Sequence, residues 1–231
     1  MEYSYVKQQL QTVLHSIEEY IVKHSQNPEN VRLVAVSKTF PPEAVTAAYE
    51  EGQRIFGENR VQELESKTPI LPDDIEWHLI GHLQSNKAAK AVQMASLIHS
   101  VDSEKLIHRI DRLAGECGKV QKILLELNIS GEKSKFGQTA DAAMELAEAA
   151  FACTNISLQG LMTMAPFGSE ECELRRVFSN LREIRNSMEK QFKKSLPELS
   201  MGMSSDYEAA IAEGATLVRI GTAIFGKRDY S

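Results

Sequence analysis

The stretch VRLVAVSKTFPPEA (31–44) runs through Val31, Leu33, Val34, Ala35 and Val36, reaches Lys38, and turns at Pro41-Pro42 into a helical pattern that Gly52 closes. A short, continuous apolar run bounded by turn residues reads as a strand buried on both faces. Proline at a first helical turn and glycine after a last one mark the ends of the helix. A strand feeding a helix in this way is half of a βα unit. No glycine-rich fingerprint lies between the two, which argues against the open doubly wound sheet that is the alternative fold.

Working outward, the pattern repeats. Candidate strands fall at 31–37, 54–58, 76–81, 97–101, 122–128, 158–164, 198–203 and 217–221. Helical patterns separate them, with Ser85, Ser103, Thr139, Ser169 and Ser205 as candidate N-caps. Eight strands alternating with helices predict an α/β fold, a (β/α)8 TIM barrel. Before the first strand, residues 3–24 place Val6, Leu10, Val13, Leu14, Ile17 and Ile21 at helical spacing, an extra N-terminal helix. The chain stops soon after the eighth strand, so a full final helix is not expected, and the opening helix could cover that gap. With no linker or repeat, residues 1–231 read as a single domain.

The 231 residues suit one α/β barrel. A formal net charge of −6 argues against a dedicated nucleic-acid binder, and 42% hydrophobic residues indicate an ordinary globular chain. The N-terminus has no apolar run of signal-peptide or membrane-helix length. Cys117, Cys153 and Cys172 are odd in number and widely spaced, so neither a disulfide framework nor a zinc site is indicated. The expected location is the cytoplasm.

In a barrel of this kind, function gathers at the C-terminal ends of the strands. Those ends carry Lys38, Asn59, His82, Asp102, Asn128, Met164, Ser204 and Gly221-Thr222. Lys38 has two readings from its place alone: a rim lysine that snorkels to water, or an amine with a lowered pKa that forms a Schiff base with a carbonyl compound. Ser204-Ser205 lead directly into a helical pattern, and Gly221-Thr222 add close backbone approach and a further hydroxyl. Together they suit a phosphate, although a simple N-cap would need only one of the serines. A Schiff-base lysine facing a phosphate cradle on strands seven and eight describes a seat for pyridoxal 5′-phosphate. Arg219, between Val218 and Ile220, needs a partner inside the fold: a carboxylate on a neighbouring strand, or the pyridine nitrogen of that cofactor. Arginine keeps its proton, so it would leave the ring nitrogen unprotonated and the ring a poorer electron sink.

Other motifs fail. GTAIFGKR (221–228) places Arg228 where a P-loop needs Ser or Thr. HLIGH (78–82) offers His78 and His82 without a third metal-ligand spacing, and His99 reads as a packed strand histidine.

VAVSKTFP (34–41), FGENRVQE (56–63), WHLIGHLQSNK (77–87), HSVDS (99–103), LELNISGEKSKFG (125–137), LQGLMTMAP (158–166) and LSMGMSSDYEAAIAEGATLVRIGTAIFG (199–226) resemble, in order and without gaps, the pyridoxal phosphate homeostasis protein family. The resemblance implies an alanine-racemase-like N-terminal barrel, the fold-type III arrangement. It implies pyridoxal 5′-phosphate held as a covalent aldimine on Lys38, with Asn59 beside the ring's phenolic oxygen and Arg219 facing the pyridine nitrogen. Ser204, Gly221 and Thr222 would bind the phosphate, and Ser205 is a further candidate. It also implies buffering or delivery of the cofactor in vitamin B6 homeostasis without established turnover, with pyridoxal phosphate-dependent apo-enzymes as conceivable recipients.

The residues supply a reason for weak catalysis. A racemase of this fold type needs a second acid/base opposite the lysine, usually a partner's tyrosine, and none of the six tyrosines ends a strand; Tyr207 falls in a helix and Tyr230 in the tail. The alternatives are a weak pyridoxal phosphate-dependent racemase or lyase, a cofactor-free Schiff-base aldolase using Asp102 or Glu58 as its acid, and an interaction scaffold. A monomer is expected, since no domain is left over for an interface.

Overall fold

The computed structural model describes residues 3–131 and 137–227. Glu132 to Phe136, Arg228 and Tyr230 therefore lie outside the described residues. The strands are β1 (Arg32–Val36), β2 (Ile55–Glu58), β3 (Glu76–Leu79), β4 (Leu97–Val101), β5 (Gln121–Glu126), β6 (Ile156–Met162), β7 (Glu198–Ser200) and β8 (Leu217–Ile220). They close into a barrel in chain order. Every pairing is parallel, and β1 meets β8 over Arg32↔Leu217 to Ala35↔Ile220. The predicted eight-stranded barrel is therefore the fold.

Strand positions follow the apolar runs, and the ends carry the differences. The sixth strand starts at Ile156 rather than 158 and stops at Met162. The seventh stops at Ser200 rather than 203, because the chain turns at Gly202 with φ +90. Only glycine adopts that φ readily, and a Cβ there would also lie 2.6 Å from Ala210 Cβ.

The outer layer holds α1 (Ser4–Lys23), α2 (Pro42–Tyr49), α3 (Val61–Lys67), α4 (Ala88–Met94), α5 (Glu104–Glu116), α6 (Ala140–Ala152), α7 (Glu171–Phe192), α8 (Tyr207–Ala212) and the one-turn α9 (Thr222–Phe225). Of the candidate caps, Thr139 accepts a hydrogen bond from the Ala142 amide. Ser103 holds the N-cap position of α5 without a side-chain cap bond. Ser85 begins a 3₁₀ turn instead, and the residues before α7 and α8 are Glu170 and Asp206. Asp206 holds the N-cap position of α8 in place of Ser205 without a side-chain cap bond, and its Oδ1 instead accepts from the Met203 amide at 2.5 Å in the turn before the helix.

α1 buries Val6, Leu10, Val13, Ile17 and Ile21 and packs on α9, α2 and α8. Its Tyr5 hydroxyl donates to the Phe225 carbonyl at 2.8 Å, so the first helix covers the place of the shortened last one. Inside the barrel Val34, Leu97, Leu124, Met162 and Leu217 form a small apolar plug, distinct from the larger core between strands and helices. Polar side chains fill the level above the plug and the strand ends above them.

Candidate active site

One cavity of about 600 Å³ opens at the C-terminal ends of the strands. Lys38, Asn59, Ser204, Ser205, Arg219, Gly221 and Thr222 all line it. The seven come from β1, β2, β7 and β8, or from the residues just after them, so only closure of the barrel brings them together. The size falls in the usual range for a small-molecule or cofactor site.

Lys38 is held from both sides by α3. On one side, Lys67 Nζ donates to the Ser37 carbonyl at 2.9 Å and to Glu58 Oε1 at 2.6 Å. On the other, the amide of Thr39 donates to Glu63 Oε1 at 2.6 Å. Thr39 has φ +70, a left-handed conformation that costs a non-glycine residue on the order of 1–3 kcal/mol and persists only where surroundings impose it. Ser37 Oγ donates to the same Glu58 oxygen at 2.7 Å. Burial pushes Glu58 up to about 7, against the pull of Lys67 and Ser37. This buried pair therefore sits between strands and helix layer and does not line the cavity.

Asn59 is set by a close backbone approach. A Cβ on Gly81 would lie 2.3 Å from the Asn59 carbonyl oxygen, so only glycine lets the end of β3 pass there. The Gly81 carbonyl accepts from Ser100 Oγ at 2.6 Å, which ties this turn to β4.

Arg219 is 4% exposed. Nη1 donates to Ser200 Oγ at 2.5 Å and Nη2 to the Thr163 carbonyl at 3.0 Å. Its partners are thus a hydroxyl and a backbone carbonyl, where a strand carboxylate was one sequence expectation. Burial pulls its pKa down to about 10, while Asp206 and Glu126 favour the charged form. It stays a cation at neutral pH. Beneath it, His99 Nδ1 shares a hydrogen bond with Ser200 Oγ at 2.9 Å, and His99 Nε2 one with His78 Nδ1 at 3.0 Å. Burial pushes His78 down to about 3 and His99 well below its usual value, so both rings are neutral. A chain of neutral and charged donors, His78–His99–Ser200–Arg219, therefore fixes the guanidinium from below.

Ser204 and Ser205 lie on the turn between β7 and α8, with Gly221 and Thr222 at the start of α9 directly after β8. Around them the cavity offers hydroxyls and backbone N–H groups with the Arg219 cation at its inner wall, a donor set suited to a phosphorylated, anionic ring compound. A lysine amine in the same cavity adds a nucleophile toward a carbonyl carbon. The residues present fit pyridoxal phosphate.

Of the aldolase acids, neither Asp102 nor Glu58 lines the cavity. Asp102 instead lies 3.6 Å from His82. Tyr207 packs against Tyr20 of α1, with centroids 5.5 Å apart and ring planes tilted by 58°. One ionisable cavity residue escaped sequence reasoning: Glu126, at the end of β5, is 3% exposed and lines the cavity. Its only signal was its two-residue spacing from the interior Leu124, read through a β5–β6 register shift that no pattern announces.

Residues 6–229 match the family model of the alanine racemase N-terminal domain. The pyridoxal phosphate homeostasis protein of Aquifex aeolicus (strain VF5) is 40% identical over 224 residues, 96% of this chain and 98% of the relative. That of Vibrio alginolyticus is 41% identical over 233 residues, 99% and 100%. Among solved structures, PipY of Synechococcus elongatus PCC7942 with pyridoxal phosphate bound superposes with a TM-score of 0.81 at 42% identity, covering 91% of this chain and 100% of PipY. The chain thus belongs to the alanine racemase N-terminal domain family and, within it, to the pyridoxal phosphate homeostasis proteins.

Proposed function

We propose that this protein binds pyridoxal 5′-phosphate through a covalent link to Lys38 and holds or hands on the cofactor in vitamin B6 homeostasis. The observation that carries the reading is the convergence of all seven residues on one cavity of about 600 Å³. Lys38 supplies the amine, and Asn59 stands beside the ring's phenolic oxygen. Ser204, Ser205, Gly221 and Thr222 receive the phosphate. Arg219 faces the pyridine nitrogen, held there by Ser200 and Thr163. The shared family and the solved relative with this cofactor bound support the assignment.

Storage rather than turnover is the role the site favours. Bound pyridoxal phosphate supplies an electron sink, and a permanently charged arginine opposite the ring nitrogen weakens that sink. Among the described residues no tyrosine lines the cavity as a second acid/base. The working unit is read as a monomer formed by one domain over residues 1–231, and the recipients as apo-enzymes that use this cofactor. Cys117, Cys153 and Cys172 are free thiols, which suits the reducing cytoplasm, and no helix of the described residues is long and apolar enough to cross a membrane.

The test is the visible absorption spectrum of the purified protein, then borohydride reduction and peptide mass mapping. A phosphopyridoxyl group trapped on Lys38 is the expected result. A colourless protein that stays unmodified after incubation with pyridoxal phosphate would overturn the reading. Incubation of the loaded protein with amino acids in D2O is expected to give no steady α-proton exchange, and sustained exchange lost in Lys38→Ala would favour the racemase or lyase alternative.

A further inference from the structure

In a closed barrel of eight strands, β5 lies across from β1. Glu126 and Lys38 therefore enter the cavity from opposite walls. The Glu126 carboxyl makes no hydrogen bond or ion pair among the described residues, although the residue is 3% exposed. A buried carboxylate without a partner is strongly disfavoured, so such a group either stays neutral or waits for a ligand. Burial pushes its pKa up to about 7, Asp102 after β4 pushes the same way, and Arg219 on β8 pulls it down. The other ionisable groups around it are Lys38 on the β1 side and His82 after β3, both on the cavity wall. His99 behind Arg219 is neutral, Asp206 acts on Arg219, and β6 presents Met164.

We propose that Glu126 is a further cofactor-contacting residue that must be neutral for anionic pyridoxal phosphate to seat, so binding takes up one proton on its carboxyl and release returns it. The inference rests on the cofactor-binding reading above. A carboxylate in this low-dielectric cavity would repel the phosphate and phenolate charges of the ligand, whereas a carboxyl with its proton can donate a hydrogen bond to it. The proton comes from solvent and goes back to solvent, and Arg219 keeps its charge throughout. Retention of the cofactor is then coupled to pH through one side chain.

The experiment is equilibrium dialysis of pyridoxal phosphate against the wild-type protein and Glu126→Gln, from about pH 6 to about pH 8. The lysine's own pH dependence is common to both proteins and cancels in the ratio of dissociation constants. Equal affinity at the acid end and roughly tenfold tighter binding by Glu126→Gln at the alkaline end is the expected result, since a carboxyl titrating near 7 loses its proton over that range. A ratio that does not change with pH, whether one or any other constant, overturns the proposal. Glu126→Ala, which also removes the carboxyl, is read by the same ratio should the glutamine variant fail to fold. Wild-type protein that binds no cofactor even at the acid end would instead sink the underlying reading, so the two failures are distinguishable.

Discussion

Glu126 also bears on the stability of the empty protein. Its folded pKa lies near 7 against 4.5 for the free group, so the fold favours the protonated form. An acid raised in this way lowers stability as pH climbs from its unfolded to its folded value. Between about pH 5.5 and about pH 7.5 the wild type should therefore lose about 2 kcal/mol relative to Glu126→Gln, measured by urea unfolding of both proteins. The difference is the quantity to follow, because His78 and His99 act with the opposite sign: their folded values are depressed, so they lower stability as pH falls below about 6.5. At the same scale, Ser200→Ala leaves Arg219 Nη1 and His99 Nδ1 without their shared hydroxyl. A loss of about 1–3 kcal/mol in unfolding free energy is expected, together with weaker cofactor binding as the guanidinium loses one of its two anchors.

At the scale of elements, the turn after β3 and the helix α3 decide where the site residues stand. Gly81→Ala would drive a Cβ to within 2.3 Å of the Asn59 carbonyl, a backbone atom that cannot yield like a side-chain tip. We expect a displaced Asn59, a drop in cofactor affinity of at least tenfold by fluorescence titration, and a lowered Tm. Lys67→Met leaves Glu58 buried beside Ser37 without its cation, and breaking such a pair costs about 3–5 kcal/mol. Differential scanning calorimetry reads this directly. The barrel and the meeting of the seven residues in one cavity were legible because strands buried on both faces announce themselves as apolar runs, such as Val31 to Val36, and all of the seven but Arg219 stand where runs end. The links between elements were not legible. Ser200 and His99 are 101 residues apart, and Lys67 and Ser37 thirty, so nothing local indicates either bond. Serines at Ser85 and Ser205 had cap-like surroundings, yet a 3₁₀ turn starts at the first and Asp206 takes the N-cap position after the second.

For the whole molecule, α1 is part of the barrel's outer wall rather than an appendage. It buries five apolar side chains against α9, α2 and α8, each worth about 1.5–3 kcal/mol when fully removed from water. Deleting residues 1–24 should therefore abolish the cooperative unfolding transition and leave aggregated protein, as size-exclusion chromatography would show.

The parallel seam between β1 and β8 joins Arg32 to Leu217 and closes the ring only when both of these distant segments are present. Pairings of such long sequence separation form late, since each carries the entropy of a very large loop. On a ribosome, β1 and Lys38 emerge long before Gly221 and Thr222. The cavity at the strand ends is therefore incomplete on a nascent chain until β8 has emerged and paired with β1.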